Sequence, residues 1–224
     1  MIGTIQAVFG NMVVAESDET IVQNSVGYCC RADGAKLLSE VIRVRGKKID
    51  LQVFEETRGL KVGDEVEFDT NMLSVKLGPG LIGQIYDGLQ NPLPQLADKI
   101  GYFLEAGNYL PGLDLERKWD FTPTAAVGDT VSAGDCLGTV PETMFTHKIM
   151  APFNLSGKYT IASIIAAGSY TVAEQIATLT NEAGDEVAVT MQQDWPVKRP
   201  LAVCKKRLLP TEPLCTRVRI VDSM

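Results

Sequence analysis

The sequence predicts a mainly β protein: a small closed β-barrel at the N-terminus, a glycine/proline hinge with a short helix, and a second β tract. Three observations predict it. Short alternating or β-branched runs, each ended by turn residues, fill residues 2–69. A dense block of backbone punctuation, Gly78-Pro79-Gly80-Leu81-Ile82-Gly83-Gln84-Ile85-Tyr86-Asp87-Gly88-Leu89-Gln90-Asn91-Pro92, then breaks the pattern. Beyond it, strand signals separated by Gly-Asp pairs resume from Trp119.

In the first tract, residues 4–9 and 12–15 flank Gly10-Asn11, a hairpin signal. Residues 28–31 precede Asp33-Gly34, and residues 37–44 alternate before Arg45-Gly46-Lys47-Lys48. Residues 49–55 follow, and Val62-Gly63-Asp64-Glu65-Val66 closes the series. So many short strands in so short a span favour closure into a barrel, which removes its own edges. Arg43 and Arg45 alternating with Ile42 and Val44 mark a strand with one wet face. Glu55 and Glu56 are sequence neighbours, and neighbours on a strand face opposite sides, so they read as solvated edge charges rather than a catalytic pair.

The central block contains G-x-G-x-x-G at Gly78, Gly80 and Gly83. That fingerprint binds dinucleotides when a strand feeds a glycine turn and a helix N-terminus receives the pyrophosphate. Leu81, Ile82, Ile85 and Leu89 have helical spacing, but Gly88 weakens such a helix and Asn91-Pro92 stops it. The better reading is a structural hinge built from Gly78, Pro79, Gly80, Gly83 and Gly88. Apolar residues at 96, 100, 103 and 104 then predict a short helix over residues 96–104.

The composition excludes several classes of function. The 224 residues carry 21 basic and 28 acidic side chains, net −7, and no basic block long enough to track nucleic acid. Lys205-Lys206-Arg207 reads as a solvated loop. Cys29, Cys30, Cys136, Cys204 and Cys215 lack metal spacing and a C-x-x-C pair, and no signal peptide precedes them, so reduced thiols in a cytosolic protein are expected. The apolar run 161–167 is far too short to cross a bilayer. His147 is the single histidine, which rules out multi-histidine metal sites and leaves a Cys–His dyad without support.

The second β tract has an internal rhythm. Val127-Gly128-Asp129-Thr130-Val131 and Ala133-Gly134-Asp135-Cys136-Leu137-Gly138 repeat a turn-strand unit, and further strands follow to residue 179. This resembles the barrel-sandwich hybrid of biotinyl and lipoyl carrier domains. A carrier protein would make Lys148 its swinging-arm acceptor. The M-K-M or D-K-A setting of such lysines is missing from His147-Lys148-Ile149-Met150, so the fold is expected without the modification.

The ordered landmarks Phe54-Glu55-Glu56-Thr57-Arg58-Gly59-Leu60, Leu77-Gly78-Pro79-Gly80-Leu81-Ile82-Gly83, Lys118-Trp119-Asp120-Phe121-Thr122-Pro123, Leu137-Gly138-Thr139-Val140-Pro141-Glu142-Thr143 and Trp195-Pro196-Val197-Lys198-Arg199-Pro200 run the length of the chain. Together they resemble the N-terminal part of the catalytic A (alpha) subunit of V-type/A-type rotary ATPases. The resemblance implies four regions. Residues 1–70 would be the crown barrel, and 71–114 the hinge and start of a nucleotide-binding domain. Residues 115–185 would be the barrel-sandwich-like bulge, and 186–224 a segment returning to that nucleotide-binding domain. It implies B (beta) subunits as partners in an alternating hexameric head, with central and peripheral stalk subunits. The location implied is the cytoplasmic face of a membrane, in a peripheral complex without direct insertion. ATP and magnesium are implied for the full-length subunit, which couples ATP hydrolysis or synthesis to proton or sodium transport. The family's G-x-x-x-x-G-K-[ST] phosphate loop is absent from these residues, so no catalytic, cofactor or metal site is expected in what reads as a fragment. The residues from 216 onward read as a strand.

Overall fold

The structure, a computed structural model, describes residues 1–101, 103, 105–201 and 209–223. Cys204, Lys205-Lys206-Arg207, Met224 and Leu104 lie outside the described residues.

Six strands close the N-terminal barrel: β1 (Ile2–Phe9), β2 (Met12–Glu16), β3 (Ser25–Cys30), β4 (Lys36–Arg45), β5 (Lys48–Val53) and β6 (Glu65–Met72), in the order β1-β2-β5-β4-β3-β6. Alternation builds its interior. In β5, Ile49, Leu51 and Val53 are buried, and the residues between them are not. These three join Ile5, Val13, Leu37, Val41, Val66 and Phe68 in one apolar cluster. β4 departs from alternation, with residues 37–41 all buried. Leu37 and Val41 point into the barrel with Ser39, whose hydroxyl donates to the Gly27 carbonyl at 2.7 Å. Leu38 and Glu40 lie on the outer face, but that face is covered here. The Leu38 N–H donates to the Tyr109 hydroxyl (2.8 Å), and Lys198 Nζ pairs with Glu40 at 2.7 Å.

The last strand begins later than the sequence suggests. Val62, Gly63 and Asp64 form the turn before β6 rather than part of a strand. The reason is local chemistry that recurs at three of the four Gly-Asp pairs. Asp64, Asp129 and Asp135 each accept the N–H of the residue three earlier, all at 2.8 Å, and Gly63, Gly128 and Gly134 all have φ between 81° and 96°.

Beyond the barrel, β7 (Ser74–Leu77) runs into the glycine block, and α1 (Leu93–Ile100) follows. The helix starts three residues before the expected position. Pro92 is its N-cap and a second proline occupies its first turn, where a missing N–H costs nothing. No helix forms over residues 81–89, where turns and irregular backbone are found.

Two four-stranded sheets then stack. One orders β11 (Phe145–Met150), β10 (Cys136–Glu142), β8 (Lys118–Pro123) and β13 (Gly168–Thr171). The other orders β15 (Glu186–Thr190), β14 (Gln175–Asn181), β12 (Tyr159–Ile164) and β9 (Thr130–Val131). Trp119, Phe121, Leu137, Val140, Ile149, Ile161, Ile176, Leu179 and Val189 fill the space between them. β15 pairs with β14 and contributes Val189 to this core, so the sandwich extends past residue 185. β16 (Gln193–Pro196) returns to pair antiparallel with β7, Trp195 opposite Val75.

The segment from residue 216 is not a strand. It forms a single turn of helix, α2 (Arg219–Asp222), with residues 209–223 exposed. A strand needs an edge to pair with, and no described strand pairs with this segment. The Asp222 carboxylate instead accepts the N–H groups of Thr216 and Arg217, both at 2.9 Å, and bends the chain back on itself. No helix among the described residues is long and apolar enough to cross a membrane.

Candidate functional site

β7 delivers the chain into Gly78-Pro79-Gly80 beside the sandwich core. A Cβ on Gly78 would lie 3.0 Å from Leu113 Cδ1 and 3.1 Å from the Met191 carbonyl oxygen. Gly80 adopts φ +107° with Trp119 immediately behind it, a conformation L side chains rarely take. Gly83 and Gly88 face open space.

The loop's amides are already engaged. Glu142, the last residue of β10 and 2% exposed, accepts the Gly80 N–H on Oε1 at 2.7 Å and the Ile82 N–H at 3.4 Å. Its Oε2 lies 2.7 Å from His147 Nδ1. Strand register explains the pair. Glu142 lies opposite Phe145 in the β10–β11 hairpin, and His147 lies opposite Val140, which makes Glu142 and His147 diagonal neighbours on one face. Burial, followed by the Glu142 carboxyl, raises the pKa of Tyr86, whose hydroxyl donates to the Gly112 carbonyl at 2.8 Å. Where the dinucleotide fingerprint would seat a pyrophosphate at a helix N-terminus, this loop has no helix and holds a carboxylate of its own chain.

A second device finishes the loop. Gln90, at φ 64°, turns its carboxamide onto Lys76, accepting the Lys76 N–H and donating to the Lys76 carbonyl, both at 2.7 Å. The side chain thereby extends the β7–β16 ladder in the manner of a third strand. Asn91 is fixed by Asp87 and accepts the Leu110 N–H at 2.9 Å. Beside the loop, a half-open cleft of about 440 Å³ is lined by Pro79, Tyr86, Pro111, Arg117 and Trp119. The Arg117 guanidinium stacks on the Trp119 ring, 4.1 Å from its centroid.

Comparison with known proteins now identifies the architecture. Residues 2–69 match the model of the ATP synthase alpha/beta family β-barrel domain, and residues 110–198 match the ATP synthase alpha/beta subunit barrel-sandwich domain. The chain belongs to the ATP synthase alpha/beta family. Among its relatives, the V-type ATP synthase alpha chain of Treponema denticola is 52% identical over 221 residues, covering 99% of this chain and 37% of that protein. V-type ATP synthase alpha chain 1 of Treponema pallidum is 50% identical with the same coverage. The alpha chain of Borrelia hermsii is 48% identical, covering 99% of this chain and 38% of that protein. The chain thus spans little more than a third of the length of these relatives.

Within this alpha/beta-family frame, the remaining candidates fall into place. Lys148 is exposed but lies within β11, paired with Thr139, while the hairpin tip is at Thr143 and Met144. It is therefore not displayed on a turn, and the carrier-protein reading gains no support. The described residues bring together no group of three or more metal-ligating side chains. Glu55 is not a solvated edge charge. It lies past the end of β5, accepts the Gly107 N–H at 3.0 Å and takes the Tyr109 hydroxyl as a donor. Glu56 does face solvent, paired with Arg58. Glu142 escapes a reading by strand alternation, because its role depends on a loop 62 residues earlier in the chain. The available signal was the Glu142 to His147 spacing, which becomes a diagonal contact only once the hairpin turn is placed at residues 143–144.

Proposed function

We propose that these residues serve as the non-catalytic, architectural part of a V-type ATP synthase alpha subunit. On this reading the barrel joins alternating B subunits into the crown of the head. The barrel-sandwich presents its exposed surface to stalk subunits. ATP and magnesium bind in the remainder of the longer subunit, and the assembly works at the cytoplasmic face of a membrane, coupling ATP turnover to proton or sodium transport.

The observation that carries the reading is the lack of any G-x-x-x-x-G-K-[ST] loop in the 224 residues. Phosphoryl transfer needs a lysine on the phosphates and a hydroxyl on magnesium, and the glycine loop here supplies neither. The engagement of the Gly80 and Ile82 amides by Glu142 supports it, since it leaves those donors committed.

Isothermal titration of Mg·ATP into the purified chain tests the first half of the proposal. No saturable heat is expected, and stoichiometric binding would overturn it. Adding the B subunit of the same ATPase tests the second half. Analytical ultracentrifugation is expected to show a complex that is lost when the exposed face of the barrel is charge-reversed, and sedimentation as separate species would reject the crown role.

A further inference from the structure

We propose that Glu142 is a latch that couples the β10–β11 hairpin to the glycine loop, so that displacement of the hairpin tip is transmitted to residues 78–86. The inference does not rest on the assembly role proposed above.

The energetics are two-sided. A carboxyl buried to 2% exposure is costly unless its lone pairs are satisfied, and here two loop amides and the His147 imidazole satisfy them. Gly80, in turn, holds φ +107° with its N–H aimed at Glu142 Oε1. Neither element keeps its polar groups paired without the other. Coupling of this kind is reciprocal: what loosens one partner loosens the other by the same factor.

The hairpin also has an input. Immediately beyond Glu142 the turn residue Met144 (86%) and Phe145 (54%), the first residue of β11, expose two large apolar side chains, and Thr143 between them and Glu142 sits at φ 52°. A contact made on that tip bears directly on the Glu142 backbone. The Gly80 and Ile82 amides with the His147 imidazole form a cradle for a carboxylate, and Glu142 is its resident anion.

Hydrogen–deuterium exchange on the whole chain tests the latch, with peptides covering residues 78–86, 136–150 and, as an internal reference, 36–53 in the barrel. In Glu142→Ala, exchange over 78–86 is expected to rise about tenfold or more, the order set by losing charge-assisted bonds, with the barrel unchanged. Sodium formate, but not sodium chloride at equal ionic strength, is expected to restore protection by refilling the cradle. In Gly80→Ala, exchange over 136–150 is expected to rise in turn. Should Glu142→Ala fail to fold, Glu142→Asp shortens the reach by one methylene and is expected to show the same selective loosening to a smaller extent. The proposal is overturned if loop protection is unchanged in the Glu142 variants or if the barrel loosens equally. It is also overturned if the hairpin ignores Gly80→Ala, and failure of formate removes the cradle.

Discussion

Cys29 sits fully buried on the inner face of β3, 3.9 Å from the Ser39 hydroxyl. Burial pushes its thiol pKa up from 9.0 to about 11. The sign follows directly. Below pH 9 the thiol is protonated in both folded and unfolded chains, and its contribution to stability is fully present. Between pH 9 and about 11 the unfolded chain ionises while the folded one does not, so stability is lost as pH rises through that window. The unfolding free energy from urea titrations should therefore fall further between pH 8 and pH 10.5 in the wild type than in Cys29→Ala, by up to about 2 kcal/mol. Tyr28, Tyr86 and Tyr109 have pKa values raised by burial and cancel in the comparison. Tyr109 gives a second residue-scale prediction. Its hydroxyl accepts the Leu38 N–H and donates to Glu55, so Tyr109→Phe should cost roughly 1–3 kcal/mol in chemical denaturation by orphaning the Leu38 N–H and leaving Glu55 only the Gly107 N–H as donor. The strand that carries Cys29 was legible in the sequence as the run ended by Asp33-Gly34. The role of Glu55 was not, because its partners at 107 and 109 arrive from beyond the glycine block.

Elements in this chain are held by side chains that act as backbone. Gln90 occupies the edge of β7, and Gln90→Ala should free the Lys76 N–H and carbonyl. About 1–2 kcal/mol of stability is expected to go with them, together with faster exchange at the Lys76 amide in hydrogen-exchange NMR. β10 illustrates the opposite demand. A Cβ on Gly138 would lie 2.3 Å from Phe121 Cε2 and 2.8 Å from the Thr122 carbonyl oxygen, so Gly138→Ala should cost about 3 kcal/mol or more in thermal unfolding. Most strands were legible, since alternation and Gly-Asp turns are local. The onset of β6 and the start of α1 were shifted by local capping chemistry, and the supposed strand at 216–223 failed for want of a partner. Strand propensity describes a surface that fits a sheet, not a segment that makes one.

On the scale of the molecule, two separate apolar clusters stand on either side of a two-strand crossing, with β7 leading out of the barrel and β16 leading back. Both tryptophans lie outside the barrel, Trp119 in the sandwich core and Trp195 in β16. Fluorescence of a Trp195→Phe variant, left with Trp119, thus reports the sandwich core alone, whereas far-ultraviolet circular dichroism reports both. The two probes should give non-coincident urea transitions. Coincident curves would mean that the Tyr109 and Lys198 contacts across β4 bind the two cores into one cooperative unit. Deletions should also respect the sheet. Removing residues 115–185 strips β15 of its neighbour β14, and excision through residue 191 should leave the barrel better folded by circular dichroism.

The sequence by itself determined that this is a β protein with a barrel, a glycine-rich break and a second β unit. It also determined that no phosphate loop or multi-histidine metal site could be assembled from these residues. Those conclusions rest on periodicity, turn chemistry and the presence or absence of short motifs, all of which act over a few neighbouring residues. Tertiary structure alone decided where the glycine loop's amides go, why Leu38 and Glu40 are buried on an outward face, and that β15 belongs to the sandwich. Each of these depends on groups brought together from distant parts of the chain. A buried polar group must find a partner wherever the fold brings one, and sequence spacing carries no record of that meeting.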